Sequence, residues 1–228
     1  MDRRSAGQTL GEVLAVIVAL VVLFFMIMTP VSRASGKPKR LACVNNLKNI
    51  GLGLRVFADR HAGEFPMNVP ASQGGTRELT EDASRLWQQF LVLSNDLASP
   101  ARLVCPSDVR RTRAGRFPTS PTNAARGVVF GGNQNLSYFL GLNASDEFPD
   151  SILSGDRNIT NRTGLLSPGR HVLAAGAPLG FNDDLHGNAG NILLADGSVQ
   201  QVTSGRLREL FRDALTNSGL ATNGWLVP

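Results

Sequence analysis

Sixteen uninterrupted apolar residues, Val13 to Met28, follow a single carboxylate, Glu12, and a short basic leader. A charge at the mouth of such a run is disfavoured in hydrocarbon by several kcal/mol, so Glu12 needs a partner. At 1.5 Å per residue the strict run covers about 24 Å, whereas Leu10 to Val31 covers about 33 Å, enough for a bilayer core of about 30 Å. The sequence therefore predicts a membrane helix over residues 8–31. A secretory signal is the competing reading, with Ser32 and Ala34 as small residues for cleavage, but Glu12 and Arg33 both fall where such a signal is uncharged.

The wording of the leader narrows this. Gly7 is followed by Gln8, Thr9, Leu10, Gly11 and Glu12. This arrangement resembles the N-terminus of type IV pilins and type II secretion pseudopilins, in which a glycine-ended leader precedes a hydrophobic helix with glutamate at its fifth position. The resemblance implies that a prepilin peptidase cuts after Gly7 and methylates Gln8. It also implies that Glu12 pairs with the terminal amine of a neighbouring subunit, neutralising a buried charge on assembly. Gln8 stands where the family has phenylalanine, and Gly11 where it has an aliphatic residue.

Net charge looks like an argument for nucleic acid until it is divided along the chain. Residues 1–62 hold nine Lys and Arg against three Asp and Glu, and residues 63–228 hold fourteen against fifteen. The basicity belongs to the leader and stem, so nucleic acid is not an expected partner. Arg3 and Arg4 favour a cytoplasmic N-terminus, and Arg33, Lys37, Lys39 and Arg40 fall beside lipid headgroups on this reading. The expected location is a single pass through the inner membrane, with the domain periplasmic or extracellular.

Past Pro30 and Gly36-Lys37-Pro38, apolar residues recur at Leu41, Val44, Leu47, Ile50, Leu54 and Phe57, spacings of three and four that predict an amphipathic stem helix over residues 32–62. Asn45 and Asn46 fall on its solvated side, and Gly51 and Gly53 permit close packing. Residues 63–228 form the domain. Within it, a helix is expected over Glu81–Leu93 with Thr80 as its cap, and strands over Leu136–Leu142, Ser151–Leu153 and Arg170–Ala175. Gly155-Asp156-Arg157-Asn158 reads as a turn. Asn191–Ala195 and Ser198–Val202 flank Asp196-Gly197, a hairpin signal of type I′. Ser204 is read as the cap of a closing helix, whose apolar face carries Leu207, Leu210, Phe211 and Leu215. The tail carries little signal beyond Trp225.

His186 precedes Asp196-Gly197 by nine intervening residues, and Cys43-Val-Asn-Asn-Leu-Lys-Asn-Ile-Gly opens the stem. Together these look like a pseudopilin-like family that occurs as large paralogous sets in some bacteria, with a His-x9-Asp-Gly signature (His186, Asp196, Gly197). The fold expected from all this is α+β and pilin-like: a long N-terminal helix, half membrane and half amphipathic, packed on a small antiparallel sheet. The expected function is a structural subunit, not an enzyme, assembling with other pseudopilin subunits in a type II secretion or type IV pilus-like system.

The remaining candidates are weaker in chemistry. Cys43 and Cys105 permit one disulfide in an exported domain, which would stabilise by about 4 kcal/mol, with two buried free thiols as the alternative. Neither belongs to a CxxC or His/Cys run, so zinc is not expected. His186 is expected to meet Asp196 or its turn. Calcium is a further reading of the acidic stretch Asp183, Asp184 and Asp196, but histidine suits that ion poorly and no ligand set is assigned. Arg110, Arg111, Arg113 and Arg116 form a basic loop without interleaved aromatics. It supports a second function, a membrane-anchored envelope domain binding glycan or another anionic polymer without forming filaments.

Overall fold

The computed structural model of the chain describes residues 10–28, 36–118 and 127–228. It divides into two compact units, Met1–Pro38 and Lys39–Pro228. In the first lies helix α1 (Leu10–Met28), with Glu12 in its first turn. Its apolar side chains are exposed: Leu14, Ile17, Leu20 and Phe24 each keep more than half of their surface.

The expectation of one long N-terminal helix, half of it in a membrane, is corrected here. Two separate helices are found, α1 and α2 (Gly36–Asp59). Among the described residues no helix is long and apolar enough to cross a membrane. The physical reason is length: the apolar stretch after Glu12 covers about 24 Å against about 30 Å of hydrocarbon. The longer reading to Val31 relied on residues 29–31, which lie outside the described residues.

The expected small pilin-like sheet is corrected as well. The second unit is built on a six-stranded antiparallel sheet of β1 (Tyr138–Gly141), β2 (Ile152–Asp156), β5 (Gly169–Ala174), β7 (Ala189–Leu194), β8 (Val199–Thr203) and β9 (Thr222–Val227), in the order β5-β9-β1-β2-β7-β8. A second sheet of three short strands has the order β4-β3-β6, from β3 (Ile159–Asn161), β4 (Gly164–Leu165) and β6 (Gly180–Phe181). Two short helices complete the set, α3 (Leu86–Leu91) and the longer α4 (Ser204–Ser218).

Alternation along the central strands explains the layering, because successive side chains point to opposite faces. Tyr138, Leu140, Leu153, Leu193 and Leu226 join one core, with Cys43, Leu47, Ile50, Leu54 and Phe57 of α2 and with Phe90. Phe139, Ile152, Ile192, Leu194, Trp225 and Val227 join the other, with Leu207, Leu210, Phe211 and Leu215 of α4. The sheet is thus buried on both faces, and β1, β2 and β7 contain no exposed position. A sheet that large and that dry cannot be the small platform for one helix that the sequence suggested.

Helix α2 approaches the sheet closely at Gly51, where an added Cβ would lie 2.7 Å from Leu193 Cδ1. Its phase differs from the periodic reading at one end: Leu41 is exposed. Asn46, assigned to the solvated side, instead donates from Nδ2 to the Val104 carbonyl at 3.2 Å. The helix expected over Glu81–Leu93 is a 3-10 turn (Ala83–Arg85) running into α3, with Asp82 rather than Thr80 accepting from the Ser84 amide. At α4 the cap is Thr203, one residue earlier than expected, and the helix closes at Gly219 with φ +66°. Its apolar face is as the periodicity predicts.

The Asp196-Gly197 hairpin forms, but not as type I′. Only Gly197 has positive φ, +85°. The Gly197 amide donates to the Leu194 carbonyl and the Leu194 amide to the Ser198 carbonyl, each at 3.0 Å. This is a type I turn followed by a left-handed glycine, the common three-residue hairpin loop. The C-terminal tail, which carried little signal, is β9, lying between β5 and β1. Trp225 stacks on Phe139 at 4.4 Å and meets Phe211 edge-on at 5.3 Å. Trp225→Ala is therefore expected to cost about 3–5 kcal/mol, measured by urea unfolding; an unchanged midpoint would contradict this packing.

A buried cysteine, histidine and aspartate cluster

Cys43 lies on the buried face of α2, and Cys105 follows the 3-10 turn Pro100–Leu103. Their Cα atoms are 5.0 Å apart and they form a disulfide. Of the two readings left open by the sequence, the bridge is the one found. It ties α2 to the segment that leads into β1, closing a long loop.

His186 arrives at this bridge from the opposite side of the chain. Gly187 (φ +63°) and Asn188 (φ +57°) reverse the backbone immediately before β7, and the His186 side chain is only 2% exposed. Its Nε2 is 3.5 Å from Cys105 Sγ and 3.4 Å from Asp156 Oδ2. Asp156 ends β2 and is fully buried. Its Oδ2 accepts from the Asn191 amide at 2.7 Å and from Asn191 Nδ2 at 2.8 Å, while Oδ1 has no hydrogen-bond partner.

The expected contact between His186 and Asp196 is replaced by this one. His186 stands before the six-residue strand β7 and Asp196 stands after it, so the nine intervening residues carry the chain about 20 Å across the sheet. Asp196 is exposed and accepts from the Ser198 amide at 2.7 Å. The spacing in the sequence motif is the length of a strand, with the histidine and the Asp-Gly turn at opposite ends.

Burial pushes the Asp156 carboxyl up to about 7, against the opposing pull of the Asn191 hydrogen bonds and the positive charge of Arg40. The same two influences, burial first and then Arg40, push the His186 imidazole down to about 4. Arg40, read as a headgroup contact, is half-buried near the start of α2 and acts on this pair. Between these values the carboxyl is the acid and the imidazole is neutral.

A buried ion pair lies nearby in the fold. Arg157 donates from Nε and Nη2 to Asp108, both at 2.7 Å, and Ser137 Oγ adds a donor at 2.8 Å. Burial opposes the Asp108 carboxylate, but Arg157 and Ser137 outweigh it and hold its pKa below the ordinary value. The segment read as a charged turn is thus the end of a central strand, with Asp156 and Arg157 both turned inward. The hint was the apolar run Ser151–Leu153 leading directly into it.

The other sequence candidates are dispersed. Gly7 and Gln8 lie outside the described residues, and Glu12 is in α1. Arg110 pairs with Asp184 at 3.0 Å, and Arg111 donates to the carbonyls of Asn133 and Pro228. Arg113 is exposed, and the Arg116 backbone bridges to Val129. Half of the basic loop is thereby engaged in holding the domain together. Asp184 is engaged by Arg110 and Asp196 by its own turn, so the acidic stretch is not gathered into a calcium site. Among the described residues, the group of metal-ligand atom types lying within 4.8 Å of one another is Cys43, Cys105 and His186, with both sulfurs joined in the disulfide. The expectation that these cysteines stand apart from any histidine is thus corrected by the fold, which unites residues far apart in the chain. No protein-family model, curated protein or solved structure matches this chain.

The protonation of the pair has a consequence for stability. Between about pH 4 and 6.5 the folded pair holds one proton on Asp156, and the unfolded chain also holds one, on His186, so their contributions to the pH slope cancel. In Asp156→Asn only the histidine remains, and the unfolded state then binds more protons than the folded one. Stability of that variant should rise with pH relative to wild type across this window, by up to about 1.4 kcal/mol per unit. Urea unfolding at fixed ionic strength measures it; parallel pH profiles would refute a protonated Asp156 beside a neutral His186.

Proposed function

We propose that the chain is a pseudopilin-like structural subunit, cut after Gly7 by a prepilin peptidase and assembled through its N-terminal helix with other such subunits in a type II secretion or type IV pilus-like system. The observation that carries this reading is α1: a helix whose apolar side chains are exposed from Leu10 to Phe24, with a carboxylate in its first turn. Exposed apolar surface of this extent marks a site of association. Helices of neighbouring subunits, packed side by side, would cover it.

Glu12 suits two demands of such an assembly. A carboxylate in the first turn is favoured by the helix dipole. In the mature chain it also offers a counter-charge to the new N-terminal amine of an adjacent subunit, fixing the axial register between them. The disulfide supports a location at the cell envelope with the unit Lys39–Pro228 in an oxidising compartment, since such bridges persist there.

The test uses the chain expressed with a prepilin peptidase and its secretion machine. Intact mass should begin at methylated Gln8, and Glu12→Ala should reduce cross-linked ladders of the subunit by about tenfold or more, as loss of a paired buried charge does. Unchanged ladders from Glu12→Ala, or a mature protein beginning at Ser35, would overturn the reading.

A further inference from the structure

The buried cluster offers more than a disulfide. Cys43 Sγ, Cys105 Sγ and His186 Nε2 lie within 4.8 Å of one another. His186 Nε2 is 3.5 Å from Cys105 Sγ and 3.4 Å from Asp156 Oδ2. In a tetrahedral zinc site, bonds of about 2.0–2.3 Å place neighbouring ligand atoms about 3.3–3.8 Å apart. The 3.5 Å between His186 Nε2 and Cys105 Sγ falls within that range. Asp156 additionally carries a buried oxygen, Oδ1, with no hydrogen-bond partner, an unusual vacancy for a carboxylate in a protein interior.

We propose that, once a dithiol has reduced the Cys43–Cys105 bridge in the unfolded chain, Cys43, Cys105 and His186 hold one Zn²⁺ ion in the interior of the refolded domain, with Asp156 beside His186 at the edge of the site. The balance is simple. The dithiol supplies two electrons and two protons, becoming a disulfide, and leaves two cysteine thiols. These lose their protons to solvent as their sulfurs bind the ion. Sulfur and imidazole ligands select zinc over calcium or magnesium, which take oxygen. The same position in the core is then stapled in either redox state, covalently when oxidised and through the metal when reduced. Cys43 and Cys105 are 0% and 1% exposed, so the bridge is opened in the unfolded chain and the metal enters as the domain folds around it. The zinc reading is independent of the assembly reading, since it concerns only the unit Lys39–Pro228.

The full chain is reduced with dithiothreitol in denaturant, then refolded by dilution without oxygen, with Co²⁺, with Zn²⁺ or with neither. Expected are one equivalent of Co²⁺ with sulfur-to-cobalt charge transfer and the intense visible bands of a tetrahedral ion, displaced by one equivalent of Zn²⁺. The oxidised chain should show neither band. His186→Gln should weaken Zn²⁺ binding by about tenfold or more, Asp156→Asn should do so as well, and Cys105→Ser should remove the charge-transfer band. If the reduced chain refolds only with Zn²⁺, judged by far-ultraviolet circular dichroism, the proposal is also supported. A reduced wild-type chain that takes up no cobalt, or a His186→Gln chain that binds zinc as tightly as wild type, overturns it.

Discussion

A sheet whose central strands are buried on both faces demands two covers, and the rest of the domain follows from supplying them. Helix α2 lies over one face, close enough at Gly51 that a side chain there would strike Leu193. Helix α4 and the small sheet lie over the other, around Trp225. Burying apolar surface contributes about 25 cal/mol per Å², so a sheet covered twice gains on both sides of every central strand. The cost falls on polar groups that end up in the same layer.

Those groups are concentrated where β1, β2 and β7 lie side by side. Asp156, Asn191, Asp108 and Arg157 are all buried, and each charge is met differently. Arg157 grips Asp108 with two parallel hydrogen bonds, a geometry that holds both ions charged. Asp156 has no such fork and is met by two donors of Asn191, with burial raising its pKa towards the neutral acid. Arranging one carboxylate as an ion and another as an acid within a single core is a way to accommodate polar side chains without leaving two opposed charges in low dielectric.

Much of the periodic structure was legible. The apolar faces of α2 and α4, the strand β5 and the β7-β8 hairpin all carry local signals that need no distant partner to read. What escaped was non-local. Thr222–Val227 holds an asparagine and a glycine and looks like tail, yet it becomes an interior strand because β5 and β1 flank it. His186 and Asp196 look adjacent in the motif, yet a strand separates them. The cysteine, histidine and aspartate that meet come from α2, from the turn before β1, from β2 and from the approach to β7; only strand order brings them together. The membrane half of the N-terminal helix was overread for a different reason, since the apolar stretch was counted through residues outside the described helix.

The place of β9 sets the order in which the sheet can be made. β5 is joined to the rest of its sheet through β9, and β9 is the last strand of that sheet in chain order. A nascent chain emerging from a ribosome can pair β1 with β2 and β7 with β8, but β5 has no hydrogen-bonded neighbour until Thr222–Val227 is free of the tunnel. Completion of the sheet is therefore a long-range event of the kind that slows folding, and loss of Thr222–Val227 would leave β5 and β1 without their common neighbour.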